Sequence, residues 1–389
     1  LMTDKNKIYY WCPFINNVAT IKAVYNSAMS LKVNSKDKFE GIILDVFGEW
    51  EKSKFFNQEN VKFFKLNNSK LVKSMFSRGF IFSRIKYLLI FFISYLPLKK
   101  FFEKNKPKFL IIHLMTSLPL FLNLIYNYDT KIILRISGRP KLNIVRYYFW
   151  KIALQKVFMV TFPTIETMNY FKTLQIVDEK KISLLYDPII STKEITKNLQ
   201  KELIKEQELK DKNFFLAIGR LTTQKNFVFL IDCFNELIKK NNLINLVIIG
   251  DGEDFKLLKN KINEYKINNN ITLVGYKNNV FNYFHKCEAF ILSSLWEDPG
   301  FVIVEAMYSN TFVLASDCKS GPSEIIGEDR GLLFKSNSKE DFINKFQTFI
   351  DLNNDEKFKI KCDAKKFTKK FSLLSHYVKL VNILTKNND

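Results

Sequence analysis

Cysteine pairs, histidine and glycine-rich phosphate loops are scarce or absent in this sequence. No two of its five cysteines form a C-x-x-C pair, which excludes a zinc ribbon and favours a reducing compartment. Its three histidines and its carboxylates form no recognisable metal-ligand cluster, so we expect no metal site. There is also no P-loop and no G-x-S-x-G sequence. The five cysteines are Cys12, Cys233, Cys287, Cys318 and Cys362.

Long apolar runs are missing as well. The uncharged run Tyr87–Leu98 has twelve residues, whereas a membrane-spanning helix needs about 20. Residues 1–30 contain no basic start, apolar run and cleavage site of a secretory signal. We therefore expect a cytoplasmic protein that does not cross a membrane. No repeat period of about 20 to 50 residues is present, which excludes a solenoid.

Acidic residues are depleted in the first half of the chain. Residues 1–200 contain 32 Lys and Arg against 14 Asp and Glu, a net charge of +18, whereas residues 201–389 contain 28 against 25, a net charge of +3. Because the basic counts are similar, the positive field of the first half comes from missing acids. An anionic membrane or a nucleic acid would be a suitable partner for such a field.

The most basic stretch is Lys52–Lys108, with 14 basic and two acidic residues. Within it, residues 79–102 are apolar and aromatic with basic residues on both sides, which fits a helix lying in an anionic membrane surface. A core helix with snorkelling lysines is the alternative, and the sequence leaves both open. The aromatic residues cluster instead of alternating with basic ones, so we expect no nucleic-acid partner.

Length and pattern indicate two α/β domains. A chain of 389 residues exceeds one ordinary core, and buried strands alternate with helices, as in parallel sheets with crossover helices. A connector rich in Lys and Glu separates the domains. We place the N-terminal domain at residues 1–192, the connector at 193–212, the C-terminal domain at 213–372 and a final helix at 373–389.

Two strands of the first domain end in polar residues. His113 ends the strand predicted at Phe109–His113, and Arg135 and Ser137 lie at the end of the strand predicted at Lys131–Ile136. In open α/β sheets, ligands bind beyond the carboxyl ends of the strands. A structural histidine is the alternative, but this position suits a catalytic cleft.

The second domain opens with a buried strand, followed by a loop that contains Arg220 and Lys225. Arginine can grip phosphate oxygens at two points and lysine adds a point charge, so this loop suits a diphosphate. Gly250-x-Gly252 is only a weak dinucleotide signal because the third glycine is missing. No Asp-x-Asp pair offers a metal site for a diphosphate.

The segment Leu292–Glu305 is predicted to run from a strand through a polar turn into a helix that begins near Gly300. Such a junction offers free N–H groups and the positive end of a helix dipole. The backbone of Asp298–Val302 could therefore meet a sugar, and Glu305 could reach another part of the same ligand. A helix with an ordinary acidic first turn is the alternative.

These segments together resemble family-4 glycosyltransferases over residues 213–372. The resemblance rests on Gly219-Arg-Leu with Lys225-Asn, Ile249-Gly-Asp-Gly, Val274-Gly-Tyr, the Ser293–Met307 segment with its Glu-x7-Glu spacing, and Gly321-Pro-x-Glu-Ile-Ile. It implies the GT-B fold, an α/β architecture of two Rossmann-like doubly wound domains facing across a cleft, with a C-terminal helix that can cross back to the first domain.

The resemblance also implies roles. Arg220 and Lys225 would hold a nucleotide diphosphate, Glu305 the ribose, and Glu297 the donor sugar, while His113 would face the reacting carbon or the sugar. The implied catalytic residues are His113, Glu297, Arg220 and Lys225. Donor-binding residues would be Gly219, Arg220, Lys225, Gly275, Tyr276, Glu297, Asp298, Pro299, Gly300, Phe301, Val302 and Glu305, and acceptor or cleft residues Asn16, Asn17, Arg135 and Ser137.

The implied function is a retaining, metal-independent hexosyltransferase without a cofactor. It would move a sugar from a UDP- or GDP-sugar to a lipid-linked acceptor, such as a polyprenyl-diphosphate glycan, lipopolysaccharide or glycolipid, as a peripheral protein on the inner face of the cell membrane. A diacylglycerol acceptor and a non-catalytic, basic nucleic-acid-binding protein are alternatives. A sugar-nucleotide epimerase would need paired acid and base carboxylates, and we identify no such pair in the first domain.

Overall fold

A computed structural model describes residues 6–15, 19–53, 55–56, 60–67, 80–140, 142–199 and 212–386. The chain divides into two compact units. The N-terminal unit consists of residues 1–189 together with residues 372–389, and the second unit consists of residues 190–371. The described part of the segment predicted as a connector, residues 193–199 and Lys212, therefore belongs to the second unit.

The N-terminal unit is built on a parallel sheet of seven described strands in the order β3-β2-β1-β4-β5-β6-β7. The order reverses between β1 and β4, which makes their carboxyl ends a topological switch point. The strands are β1 Asn6–Trp11, β2 Phe39–Asp45, β3 Lys62–Lys65, β4 Phe109–Ile112, β5 Lys131–Arg135, β6 Met159–Phe162 and β7 Ile182–Leu184. The helices are α1 Ala19–Asn34, α2 Phe80–Asn105, α3 Ser117–Tyr126, α4 Ile144–Ala153 and α5 Ile165–Thr173.

The second unit contains a parallel sheet of six described strands in the order β10-β9-β8-β11-β12-β13, with its switch point between β8 and β11. These strands are β8 Phe215–Ile218, β9 Leu246–Ile249, β10 Ile271–Gly275, β11 Ala289–Leu292, β12 Phe312–Asp317 and β13 Leu332–Lys335. Its helices are α6 Thr192–Leu199, α7 Phe227–Lys240, α8 Phe255–Glu264, α9 Phe281–Lys286, α10 Phe301–Tyr308, α11 Pro322–Ile326, α12 Lys339–Asp351 and α13 Asn354–Phe367.

The central strands are apolar along their whole length because helices cover both faces of each sheet. Every residue of β4, β9 and β11 is buried. In the N-terminal unit, alternate residues of β1 enter separate cores, so that Tyr9 and Trp11 pack on one side of the sheet and Ile8 and Tyr10 on the other.

The last helix, α14 at Leu373–Leu384, packs on α1 of the N-terminal unit. His376 fixes it there, because Nδ1 lies 2.8 Å from the backbone oxygen of Tyr186 and Nε2 lies 2.7 Å from Oγ of Ser27. Leu380 of the same helix is fully buried. The expectation that the C-terminal helix returns to the first domain is confirmed.

The sequence left two interpretations open for the apolar stretch at residues 79–102. Its described part, from Phe80 onward, lies in α2, which contains Pro97. One side of α2 enters the core through Ile90 and Leu98, whereas Phe92 on the other side is 70% exposed. Core packing therefore accounts for only one side of this helix. Among the helices that the structure describes, none has the length and apolarity to cross a bilayer.

Candidate functional site

The candidate site lies where β8 and β11, neighbours at the switch point of the second unit, end. After β8 the chain passes through Gly219 and Arg220 to a short turn at Thr223–Lys225, and α7 then begins. After β11 it passes through residues 293–300 before α10 begins. Because β8 and β11 are adjacent and parallel, these two loops lie side by side.

A buried ion pair joins the two loops. Nζ of Lys225 lies 2.5 Å from Oε1 of Glu297, and the two side chains are only 13% and 5% exposed. The hydroxyl of Ser294 donates to the same carboxylate oxygen at 2.6 Å. Hydrogen bonds to a charged group are stronger than neutral ones, and partial removal from water strengthens the ionic attraction. The two predicted catalytic residues Lys225 and Glu297 are thus in direct contact.

Further hydrogen bonds fix the backbone around this pair. The backbone N–H of Leu295 donates to the carbonyl of Gln224 at 2.9 Å, and the hydroxyl of Ser293 donates to the carbonyl of Lys225 at 2.8 Å. The side-chain amide of Gln224 also donates to the carbonyl of Trp296 at 2.9 Å. Three bonds therefore link the β8 loop to the β11 loop in addition to the ion pair.

The segment after β12 supports the β11 loop from the other side. Trp296 pairs with Lys319 in a parallel bridge, and the backbone N–H of Glu297 donates to the carbonyl of Lys319 at 3.1 Å. A Cβ on Gly321 would lie 2.1 Å from the carbonyl oxygen of Pro299, so this position requires glycine. The loop that carries Glu297 is therefore held on both sides before any ligand binds.

The Gly250-x-Gly252 sequence has a packing role in the structure. A Cβ on Gly250 would lie 1.8 Å from the carbonyl oxygen of Gly219, and one on Gly252 would lie 2.3 Å from that of Leu221. The backbone N–H of Leu221 donates to the carbonyl of Asp251 at 2.9 Å. These glycines allow the loop after β9 to pack against the loop that carries Arg220. This packing explains why both positions are glycine, and no bound dinucleotide is needed to explain them.

The start of α10 presents the remaining residues of the Glu-x7-Glu segment. Gly300 precedes the helix with a φ of 88°, and the Asp298–Pro299 peptide is cis. The side chain of Asp298 is exposed and Phe301 is buried. The first N–H groups of an α-helix have no acceptor within it, so the backbone at Phe301 and Val302 can donate to a ligand. Glu305, half-buried, follows in the second turn.

Three predicted donor residues lie further out. Arg220 is exposed, with Nη2 3.5 Å from Oε1 of Gln224. Gly275 ends β10 with a φ of 74°, and the next residue, Tyr276, is 70% exposed. Since β10 is two strands away from β8, the ends of these two strands lie about 10 Å apart, with Tyr276 on the side away from β11. The donor residues predicted in this unit thus share one edge of one sheet.

Trp296 is a candidate site residue that the sequence analysis did not assign to the site. Its side chain is 46% exposed, although its backbone is fixed on both sides, and it directly precedes Glu297. The chain's other tryptophans, Trp11, Trp50 and Trp150, are buried. The sequence shows that Trp296 lies in the strand-to-helix segment, but it does not show that the side chain is exposed.

In the N-terminal unit, His113 follows β4 at the switch point. The side chain is 7% exposed, its ring stacks on Tyr10 with centroids 6.2 Å apart, and neither ring nitrogen has a hydrogen-bond partner among the residues that the structure describes. Burial lowers its pKa well below the ordinary value, and the charge of Arg135 adds to this effect. The imidazole is therefore neutral at pH 7 and can still accept or donate one hydrogen bond.

Arg135 and Ser137, predicted as acceptor or cleft residues, belong to a buried network. The guanidinium of Arg135, 2% exposed, donates from Nε to Oδ1 of Asp187 at 3.1 Å and from Nη2 to the other carboxylate oxygen. Its Nη1 donates to the hydroxyl of Ser137. Because these partners occupy the guanidinium, its position favours a structural role over direct acceptor contact. The other predicted acceptor residues, Asn16 and Asn17, lie outside the described residues.

The first domain contains a close carboxylate pair that the sequence analysis did not identify. Asp45 and Glu49 are both buried at the end of β2. Burial raises the pKa of Glu49 well above its ordinary value, and the Asp45 charge raises it further. The two carboxylate oxygens of Glu49 accept the backbone N–H groups of Val46 and Phe47, and Asp45 accepts that of Trp50. These bonds close the turn after β2, which favours a structural role for the pair over acid–base catalysis.

Residues 200–367 match the family described as glycosyl transferases group 1. An uncharacterized glycosyltransferase of Methanocaldococcus jannaschii is 40% identical over 117 residues, 30% of this chain and 29% of the relative. The N-acetylgalactosamine-N,N'-diacetylbacillosaminyl-diphospho-undecaprenol 4-alpha-N-acetylgalactosaminyltransferase of Campylobacter jejuni is 32% identical over 197 residues, 50% of this chain and 52% of the relative. The chain thus spans about half or less of these curated relatives, and it carries a glycosyltransferase group 1 domain.

Solved structures resemble the chain along its whole length. A glycosyltransferase of Rickettsia africae superposes with a TM-score of 0.72 at 17% identity, covering 99% of this chain and 100% of that chain. Anabaena HepE in complex with UDP and glucose superposes with a TM-score of 0.69 at 14% identity, covering 98% and 100%. At such identities the likeness establishes the fold alone. It confirms the predicted GT-B class with two Rossmann-like α/β domains.

We expect Asp187→Asn to destabilise the N-terminal unit by about 3–5 kcal/mol, because it leaves the buried guanidinium of Arg135 without its counter-charge. Urea unfolding measures the change. The matched control is Lys62→Ala, which removes an ion pair with Glu40 at a lysine that is 72% exposed and should cost about 1 kcal/mol or less. Equal, small effects of both variants would contradict the structural role of the Arg135–Asp187 pair.

Proposed function

We propose that this chain, with its glycosyltransferase group 1 domain at residues 200–367, is a retaining glycosyltransferase that moves a sugar from a nucleotide-sugar to a lipid-linked acceptor. The observation that carries the proposal is the Lys225–Glu297 ion pair at the switch point of the second sheet, beside the start of α10. It combines a cation for phosphate, a carboxylate for sugar hydroxyls and helix N–H groups at one place.

In this proposal the diphosphate of a UDP- or GDP-sugar binds at the β8 loop. The ammonium of Lys225 has three donors, and Glu297 uses only one of them, so the others can reach phosphate oxygens. Arg220, exposed on the same loop, adds a second cation. These charges stabilise the departing nucleotide diphosphate without a metal ion or other cofactor. The UDP complex of the similarly folded Anabaena HepE supports a nucleotide donor.

Glu297 is assigned to the donor sugar, and Glu305 to the ribose. Oε1 of Glu297 already accepts from Lys225 and Ser294, which holds the carboxylate in one orientation. A carboxylate held in this way suits recognition of sugar hydroxyls better than nucleophilic attack. We therefore propose a front-face displacement: the bond from C1 to the phosphate oxygen breaks, C1 bonds to the acceptor oxygen on the same face, and the departing phosphate takes the acceptor proton.

The acceptor is assigned to the N-terminal unit, where the neutral imidazole of His113 has unused hydrogen-bonding groups among the described residues. The printed name of the Campylobacter jejuni relative specifies a diphospho-undecaprenol acceptor. This supports a polyprenyl-diphosphate glycan as the acceptor class, ahead of lipopolysaccharide, another glycolipid or diacylglycerol. Such an acceptor resides in a membrane, so we place the protein peripherally at the cytoplasmic membrane face, with α2 as a membrane contact.

Sugar transfer tests the proposal directly. Purified protein is incubated with a panel of UDP- and GDP-sugars and a polyprenyl-diphosphate-linked sugar, the product is identified by mass spectrometry, and its anomeric configuration by NMR. We expect one donor to react with retention. Lys225→Ala should lower kcat/KM by about tenfold to a hundredfold or more, because it removes charge-assisted contacts worth about 1.5–3 kcal/mol.

Lys339→Ala is the matched control for Lys225→Ala. Lys339 also forms an ion pair, with Glu236, but both side chains are more than 40% exposed. We expect the wild-type rate from this variant. Absence of turnover with every donor would refute the proposed sugar transfer. Equal rates for Lys225→Ala and Lys339→Ala would refute the assignment of Lys225 to the diphosphate. A product with inverted configuration would refute the front-face displacement.

Tryptophan fluorescence gives a binding test that is independent of turnover. Trp296 is 46% exposed, whereas the other three tryptophans are at most 2% exposed, so a ligand at the site should chiefly affect Trp296. We expect titration with UDP or GDP to change the emission in a saturable way, and Trp296→Phe to abolish the change. Thermal shift on the same variant verifies that the nucleotide still binds. Binding without an emission change would place the nucleotide away from Trp296.

A further inference from the structure

Helix α4, which the sequence analysis did not single out, carries an exposed apolar side. Ile144, Val145, Tyr148 and Ile152 are 77%, 75%, 59% and 57% exposed. Their spacing places them along one side of the helix. Trp150, on the opposite side, is buried in the core of the N-terminal unit. Four large side chains are thus presented to the outside by a helix that is firmly packed on its other side.

The exposed side of α2 has the same character. Leu88, Phe92 and Leu96 follow one another at four-residue intervals and are 60%, 70% and 59% exposed. Ile90 and Leu98 anchor the opposite side in the same core that Trp150 of α4 enters. Both helices therefore cover the same face of the first sheet.

Helix α3 fills the space between α2 and α4, since it is in contact with both. Its Ile125 and Tyr126 are 52% and 38% exposed. The hydroxyl of Tyr126 lies 3.0 Å from that of Tyr95 in α2, and Nζ of Lys99 lies 4.5 Å above the Tyr126 ring. The three helices form a continuous outer surface, which we call the α2–α4 face. Contiguous apolar patches of this kind on a protein surface mark interaction sites.

The charge around the α2–α4 face indicates what binds there. Residues 80–156 contain 14 Lys and Arg but only two acidic residues, Glu103 and Asp129. An exposed lysine lies in the last turn of each helix, Lys104 in α2 and Lys151 in α4. Basic residues beside an exposed apolar surface suit a leaflet of anionic lipids. A second copy of this chain would bring like charges together, which opposes association.

We propose that the α2–α4 face is a membrane-docking surface and that α4 is its second anchor, inserting Ile144, Val145, Tyr148 and Ile152 at the level of the headgroups of an anionic leaflet. Tyr148 suits this depth, because its ring is apolar and its hydroxyl can stay in the polar layer. Because α2 and α4 cover the same face of the first sheet, anchoring by both helices requires the whole α2–α4 face, and not α2 alone, to lie on the membrane. The proposal rests on the proposed function only in choosing lipid as the partner.

Co-flotation with vesicles tests the proposal. The vesicles contain phosphatidylcholine with or without phosphatidylglycerol, and the variants are Val145→Ser/Ile152→Ser in α4 and Phe92→Ser/Leu96→Ser in α2. We expect binding only to anionic vesicles, release by high salt, and at least about tenfold weaker partitioning for each double variant. Leu243→Ser in the second unit is the control, since Leu243 is 78% exposed and should leave binding unchanged.

The two double variants distinguish docking through both helices from docking through α2 alone and from association of two copies. If the α2 variant loses vesicle binding and the α4 variant keeps it, α4 is not an anchor and the proposal is wrong. If the α4 variant instead dissociates a dimer in sedimentation velocity, the face is an interface between copies. Unfolding midpoints and the fluorescence response to UDP should match wild type, which separates lost docking from misfolding. If no donor is ever turned over but both variants lose vesicle binding, the proposed function fails and the docking surface stands.

Discussion

The ion pair of Lys225 and Glu297 is the contact on which the candidate site depends. The two residues are 72 positions apart, and the adjacency of β8 and β11 brings them together. Such a pair loses hydration, so it is favourable only when further hydrogen bonds satisfy it, and Ser294 provides one. The pair fixes the position of a cation and a carboxylate before ligand binding, which is what electrostatic stabilisation of a leaving group requires.

The surrounding loops explain why this geometry persists. The β11 loop bonds to the β8 loop through Gln224 and to the segment after β12 through Lys319. The loop after β9 presses on the β8 loop at distances that admit no side chain at Gly250. Four consecutive parts of the sheet edge thus support one another. Because these loops are already ordered, ligand binding costs little further conformational entropy. More of the free energy of the contacts therefore contributes to binding affinity.

Sequence reasoning predicted the parts of the structure that local residue patterns determine. The strands predicted at Phe109–His113 and Lys131–Ile136 are found at Phe109–Ile112 and Lys131–Arg135, and the final helix predicted at 373–389 is found at Leu373–Leu384. Lys225 was selected from the chemistry of its loop, and the role of Glu297 came from a family resemblance whose motifs mark strand ends. The Arg135–Asp187 pair was missed because it joins residues 52 positions apart without a motif. The exposed side of α4 was missed because apolar content does not tell which side of a helix meets a neighbour.

The charge distribution and the candidate site are separate features. Because Glu297 neutralises Lys225, their ion pair contributes no net charge, and it lies in a half of the chain whose net charge is only +3. The excess of +18 lies in the half that contains α2 and α4. Surface charges of one sign act over about a Debye length and raise the local concentration of an oppositely charged partner. The basic half is therefore suited to finding an anionic surface, and the apolar side chains of the α2–α4 face to remaining on it.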